Sequence, residues 1–305
     1  METSGVYRVA VSVLLALAPA HDAAAQSPGA AVAAPAPTDT LRLTQVLPFE
    51  KPGVASADPA GVLYVADAMQ NIVQLAPDGQ RLLTYSAPIR GHLATLDAGF
   101  TGKVLAFYDD RQTLIIFNRF LSPITSLQLS DYPATAERLI KAATLASDGT
   151  IWLYDERQLT LVRLDPRDPG NAAAVPLDLI LTSPRSDIRA LHAYQNKLYL
   201  FDRASGLYVF DIFGAFSRKI SIPEMGTAPD VLFRGDELLF LTADGRHLHF
   251  EALYASGQPP RRVPLPAAPG GHPWARVAAG PGGELYVLNA AHIGVSAAPV
   301  SKKKP

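Results

Sequence analysis

Cysteine is absent from the sequence. That excludes disulfides, thiolate metal ligands and a lipid-modified N-terminal cysteine. An excess of either charge is also missing: 27 Lys and Arg stand against 28 Asp and Glu, a formal net charge of -1. A nucleic-acid binder would carry a strongly basic surface, so that class is excluded. No apolar run is long enough to cross a bilayer, which takes about 20 residues. Local catalytic signatures are lacking as well. There is no Gly-x-Ser-x-Gly elbow, no phosphate loop, no dinucleotide fingerprint and no histidine pair at helical spacing.

What is present starts with a leader-like segment. Arg8 is followed by the apolar run Val9–Ala20 and then by Ala23-Ala24-Ala25. The run is too short to span a membrane, and small residues stand where a signal peptidase reads. Residues 1–25 are therefore expected to be a signal peptide, cleaved before Gln26. Cleavage would remove Glu2, Arg8 and Asp22 and leave basic and acidic groups in balance. The expected location is the periplasm or the exterior, with no membrane span after cleavage. Residues 26–40 (QSPGAAVAAPAPTDT) are Ala/Pro-rich without apolar periodicity and read as an extended linker. Residues 41–300 are the expected folded domain. Residues 301–305 form a basic tail, with Lys302-Lys303-Lys304 as a solvated end.

Within 41–300 one pattern recurs six times: Leu63-Tyr64-Val65-Ala66-Asp67, Leu105 to Asp109, Ile151 to Asp155, Leu198 to Asp202, Leu238 to Thr242 and Leu285 to Asn289. The last positions (67, 109, 155, 202, 242, 289) lie 42, 46, 47, 40 and 47 residues apart. A four-stranded propeller blade takes roughly 40 to 50 residues. Each copy follows a short apolar segment and a tight turn rich in Gly, Asn and Asp, which tolerate hairpin backbone angles. In copy two the turn is longer, Asp97 to Gly102. A third strand follows every copy. A fourth follows in five of them, such as Arg81 to Tyr85 and Arg218 to Ile222. The near-continuous apolar runs imply strands covered on both faces. Copy six ends without a fourth strand, while Thr40 to Pro48 is strand-like and has no blade of its own. The expected fold is all-β: a six-bladed propeller of four-stranded blades, closed three plus one by the N-terminal strand, which leaves no open edge at the join. Asp67, Asp109, Asp155 and Asp202 end their strands and are expected to fix turns.

The stretch LYVADAMQNIVQLAPDGQ (63–80), with Gly61 before it, resembles the NHL repeat: a Gly-containing turn, a strand ending in Val-Ala-Asp, and a later Asp-Gly. Asp148-Gly149-Thr150-Ile151-Trp152 resembles the repeats of periplasmic sensor propellers. FYDDRQTLIIFN (107–118) and LYVFDIFGAF (207–216) are similar to a family of exported, uncharacterised propellers of Gram-negative bacteria. These resemblances imply the fold and leave function open. Copies five and six depart from the pattern, with Thr242 and Asn289 in place of Asp.

The innermost strands should be VASA, LATL, AATL, RALH, DVLF and ARVA. They offer Asp230 and little else for the oxygen-rich cation site of a lactonase-type propeller. No facing carboxylate pair marks glycosidase chemistry. Neither a catalytic residue, nor a metal ligand, nor a cofactor is expected. The loops that enter the inner strands carry Arg90, His92, Arg138, Arg189, Asp230, Trp274 and Arg276, and these are the candidate binding residues, since Arg and Trp are enriched in binding hot spots. The expected function is that of an exported, non-enzymatic binding or scaffold module, monomeric by itself, for an envelope or secreted protein. The alternatives are a metal-dependent hydrolase or lyase of lactonase type and a small-ligand sensor.

Overall fold

The computed structural model describes residues 40–88, 90–100, 102–181, 186–254, 259–280 and 283–296. The expected signal peptide, almost all of the linker and the basic tail lie outside the described residues. The strands fall in six four-stranded antiparallel sheets. Blade one holds β2 (Ala55–Ala57), β3 (Leu63–Ala66), β4 (Ile72–Leu75) and β5 (Arg81–Tyr85). Blade two holds β6 (Leu93–Phe100), β7 (Lys103–Tyr108), β8 (Thr113–Asn118) and β9 (Pro123–Gln128). Blade three runs through β10 (Ile140–Leu145), β11 (Ile151–Asp155), β12 (Thr160–Asp165) and β13 (Asp168–Pro176). Blade four has β14 (Ile188–Tyr194), β15 (Lys197–Asp202), β16 (Gly206–Asp211) and β17 (Phe216–Ile220). Blade five has β18 (Leu232–Arg234), β19 (Glu237–Leu241), β20 (His247–Ala252) and β21 (Arg261–Pro264).

Blade six is completed from the other end of the chain. Its own strands are β22 (Arg276–Ala279), β23 (Leu285–Leu288) and β24 (His292–Ser296), and β1 (Leu43–Pro48) is its outer strand. β1 runs antiparallel to β24, with Val46 opposite Gly294 and Pro48 opposite His292. The expected three-plus-one closure is present. Two boundaries differ from expectation. Asp97 to Gly102 is not wholly a turn: β6 continues to Phe100 through a bulge, because the Asp97 carboxylate accepts the Gly99 N–H and bends the strand locally. β17 begins at Phe216, two residues early, because the preceding turn closes tightly around Asp211, whose carboxylate accepts the Phe213 and Ala215 N–H groups.

The core consists of six apolar clusters, one at each blade seam. Leu105, Phe107, Ile140 and Leu153 fill the seam between blades two and three, for example. Ala57, Val65, Tyr286 and Ile293 fill the one between blades six and one, where the ring closes. The second strand of each blade is buried on both faces, as its unbroken apolar sequence requires. Each fully buried Leu, Ile, Val or Phe contributes roughly 1.5–3 kcal/mol. The recurring strand-end Asp fixes its turn as expected at positions 67, 155 and 202, whereas the Asp109 carboxylate pairs with His92 instead. Asp67 accepts the Met69 and Asn71 N–H groups. Asp155 and Asp202 are wholly buried and reach further, accepting the N–H groups of Leu139 and Asp187 ahead of the inner strands. Asn289 performs the local part of that task, accepting the Ala291 and His292 N–H groups.

Candidate functional site

The inner strands of all blades run in one direction along the ring axis, each leaving one backbone edge without a strand partner. They carry several alanines, and the axis is not filled. A cavity of about 460 Å³ lies there. Its walls include Ala55, Ala94, Ala193 and Ala279, with Phe233 and Tyr194 on one side. It is lined from both ends of the inner strands, by Arg189, Asp230 and Arg276 at the end where these strands begin and by Pro59, Gln195 and Gly280 at the end where they finish.

One arc of the wall is laced by side chains that satisfy the free backbone edge of the next blade. Ser56 Oγ accepts the Ala98 N–H at 3.0 Å, crossing from blade one to blade two. Asp97 Oδ2 accepts the Leu145 N–H at 3.1 Å and the Thr144 hydroxyl at 2.8 Å, crossing to blade three. Thr144 Oγ1 in turn accepts the Ala193 N–H at 3.0 Å, crossing to blade four. His192 Nε2 meets Asp230 Oδ1 at 3.0 Å, crossing to blade five. Burial opposes the charged imidazole of His192, but the carboxylates of Asp230 and Asp97 outweigh it, and the His192 pKa lies above the ordinary histidine value. The His192 ring also meets the edge of Phe233, which stacks on Tyr194. Burial raises the Tyr194 pKa, and its hydroxyl donates to the Gly235 carbonyl at 3.0 Å.

The cationic groups of the lining differ in their partners. Arg189 is paired with Asp187 at 2.7 Å. Arg234 is paired with Glu237 at 3.1 Å and donates to the Gly283 carbonyl. Arg276 is exposed and its guanidinium has no hydrogen bond or ion pair among the described residues.

Three of the candidate binding residues, Arg189, Asp230 and Arg276, thus share the cavity. The other four do not. Arg90 lies beside a separate small pocket with Met69, Gln70 and Asn71. His92 is exposed and pairs with Asp109 at 2.7 Å. Arg138 is bound to Asp155 at 3.0 Å and to Gln158 and Thr160, so it belongs to the scaffold of blade three. Trp274 is buried between blades five and six, its indole N–H donating to the Pro266 carbonyl at 2.9 Å. His192, Asp97 and Thr144 were not among the candidates. A register alignment of the inner strands would have found two of them: Ser56, Thr144 and His192 stand opposite Tyr64, Trp152 and Tyr199, which are equivalent positions of the recurring strand. Among the described residues no three His, Asp or Glu side chains converge in a way that could hold a metal ion.

No protein-family model matches the sequence, and no curated protein matches it. The likeness to NHL repeats and to exported propellers therefore rests on the motifs alone. Among solved structures, a catalytically inactive His-to-Ala variant of virginiamycin B lyase from Staphylococcus aureus, with quinupristin, is 12% identical. The match covers 83% of this chain and 99% of that one, with a TM-score of 0.55. The β-propeller domain of Cps50 (Swd1) from Myceliophteria thermophila is 9% identical over 84% of this chain and 98% of that one, TM-score 0.58. The WD40 domain of Neurospora crassa Pan2 is 9% identical over 86% and 98%, TM-score 0.54. A lyase and WD40 propellers stand side by side in this comparison, and at such identities the likeness establishes one thing, that the chain has the β-propeller fold.

Proposed function

We propose that the protein is an exported, non-enzymatic binding propeller of the bacterial cell envelope, and that it receives a protein partner at the mouth of the ring where the inner strands begin. The observation that carries this reading is the gathering of Arg189, Asp230 and Arg276 at that mouth, on three blades, with Arg203 and Asp187 beside Arg189. Rigid, seam-packed blades hold these groups in fixed places, which lowers the ordering cost of binding. The leader-like segment 1–25 supports export. The test is cross-linking in intact cells of the source organism, followed by purification of the full chain and of an Arg189→Glu/Arg276→Glu variant. A partner captured by the first and lost from the second is the expected result. A chain that emerges alone, at monomer size, under every condition overturns the reading. N-terminal sequencing of the mature protein should begin at Gln26.

A second reading is a metal-dependent hydrolase or lyase of the axial cavity. It is favoured by the His192–Asp230 pair, because an imidazole oriented by a carboxylate is the arrangement of a general base. Turnover of a lactone or cyclic ester, lost in His192→Ala, would install it in place of the first.

A further inference from the structure

The axial cavity has properties that partner binding at the rim does not use. Its volume, about 460 Å³, falls within the range of small-molecule sites, roughly 300–1,000 Å³. The space exists because Ala55, Ala94, Ala193 and Ala279 stand where larger side chains would fill the axis. Its wall is therefore apolar along much of its length, with the Phe233 ring beside it.

The carboxylates of the lining are hydrogen-bonded and its cations are paired, with one exception. Asp97 is satisfied by Thr144 and by the Leu145 and Gly99 N–H groups. Asp230 is satisfied by His192 and the Val231 N–H. Arg189 and Arg234 have Asp187 and Glu237. Arg276 is left without a partner among the described residues, a guanidinium at the rim of a chamber whose lining is part apolar and part polar. A guanidinium presents two parallel N–H donors, which match the two oxygens of a carboxylate. A single cation balances a monoanion, and an apolar wall rewards a ligand with an apolar body.

We propose that the axial cavity binds a small organic monocarboxylate, its charged end on Arg276 and its apolar body lying along Ala55, Ala94, Ala193 and Ala279 toward Phe233. This goes beyond the partner reading, because the ligand sits inside the ring and the partner on its rim. Carboxylate ligation explains why this arginine is left without an internal partner. A dianion such as phosphate shares the guanidinium chemistry, but it would gain nothing from the alanine wall.

The test is isothermal titration of the full chain at pH 7 with straight-chain monocarboxylates from acetate to decanoate, their primary amides, and inorganic phosphate. Saturable binding of at least one carboxylate is expected, with affinity rising along the series as the chain fills the wall. The matching amide should bind at least about tenfold more weakly, and so should the same acid to Arg276→Gln. Ala55→Leu, which narrows the cavity and leaves the rim charges in place, should weaken binding of the longer acids at least about tenfold; if that variant does not fold, Arg276→Gln decides. Arg167→Gln, on an outer turn, should change nothing. The inference is overturned if no carboxylate saturates, if the amide binds as tightly as the acid, if phosphate binds more tightly than every carboxylate, or if Arg276→Gln is unaffected. Ala55→Leu also separates the two ideas. A partner still captured by a protein that binds no carboxylate removes only this inference, and carboxylate binding without a partner removes only the other.

Discussion

The wall of the axis has two unlike arcs. From blade one to blade five, Ser56, Asp97, Thr144 and His192 tie each inner strand to the next. In blades five and six the positions equivalent to Ser56, Thr144 and His192 are Leu232 and Ala278, which make no such bond. That arc is joined elsewhere: by apolar seams, by Arg234 to the Gly283 carbonyl, and by Tyr286, whose hydroxyl donates to the Gly61 carbonyl at 2.8 Å. The laced arc uses its polar groups on itself. The unlaced arc, whose chain ends meet through β1, keeps Arg276 unpaired. Polar ties between inner strands lie on one side of the ring, and the unpaired guanidinium on the other.

The largest effect should come from breaking the unlaced side at its join. Removing residues 40–48 deletes β1, exposes the edge of β24 and uncovers the seam that Leu43 and Leu47 help to close. The expected loss is roughly 3–6 kcal/mol. Calorimetry should show a midpoint lower by on the order of 10 °C, and gel filtration should show self-association through the open edge. An unchanged midpoint would mean that the apolar seams alone close the ring.

The laced side is tested by Thr144→Val, which keeps the shape and removes the hydroxyl. The Ala193 N–H loses its acceptor and Asp97 loses a donor, both half-buried at the cavity wall beside the buried Thr144. A loss of about 2–3 kcal/mol is expected from the desolvated groups left unpaired. Leu232→Val, at the equivalent position on the other arc, removes one methylene and no polar partner, and should cost no more than about 1 kcal/mol. Urea titrations of both variants measure the contrast, and equal losses would erase it.

The two arcs also explain what could be read from the sequence. The blades were legible because each is built from contiguous residues, with a recurring apolar strand and an Asp that closes its turn. The unpaired β1 and the short sixth copy together implied the closure. The cavity was not legible in the same way, because its wall collects a few residues from each of several inner strands, and neighbouring copies lie about forty residues or more apart. Nor could the arginines be told apart by type. Arg189 and Arg276 each lie 13 residues before the aligned strand end, at Asp202 and Asn289. Two residues ahead of Arg189 stands Asp187, which neutralises it; two residues ahead of Arg276 stands Trp274, which turns into the core instead. That difference of one residue type separates a paired arginine from a free one, and it becomes visible only once the copies are placed in register.

A smaller effect is expected at the last tie of the laced arc. The folded-state pKa of His192 is raised, so its contribution is full below the unfolded value of about 6.5 and fades as pH rises through the folded value. The stability difference between the unaltered protein and His192→Ala should therefore be larger at pH 5.5 than at pH 8.5. Thermal melts at the two values decide it. A difference that grows with pH would show that the imidazole pairs with Asp230 as a neutral group.

The smallest effect on stability is expected for Arg276→Gln. The side chain is exposed and has no partner among the described residues, so its removal leaves no buried group unsatisfied. The melt should move by less than about 0.5 kcal/mol. Arg189→Gln should cost more, since Asp187 would keep only Arg203 as its cation. This ordering is what an unpaired arginine and an internally paired one should show. A group that stabilises the fold is costly to lose in the absence of ligand, whereas a group held in reserve is costly only when the ligand is present. If Arg276→Gln lowers the melting point as much as Thr144→Val does, the arginine has an internal role, and the unlaced arc spends its polar groups on the fold just as the laced one does.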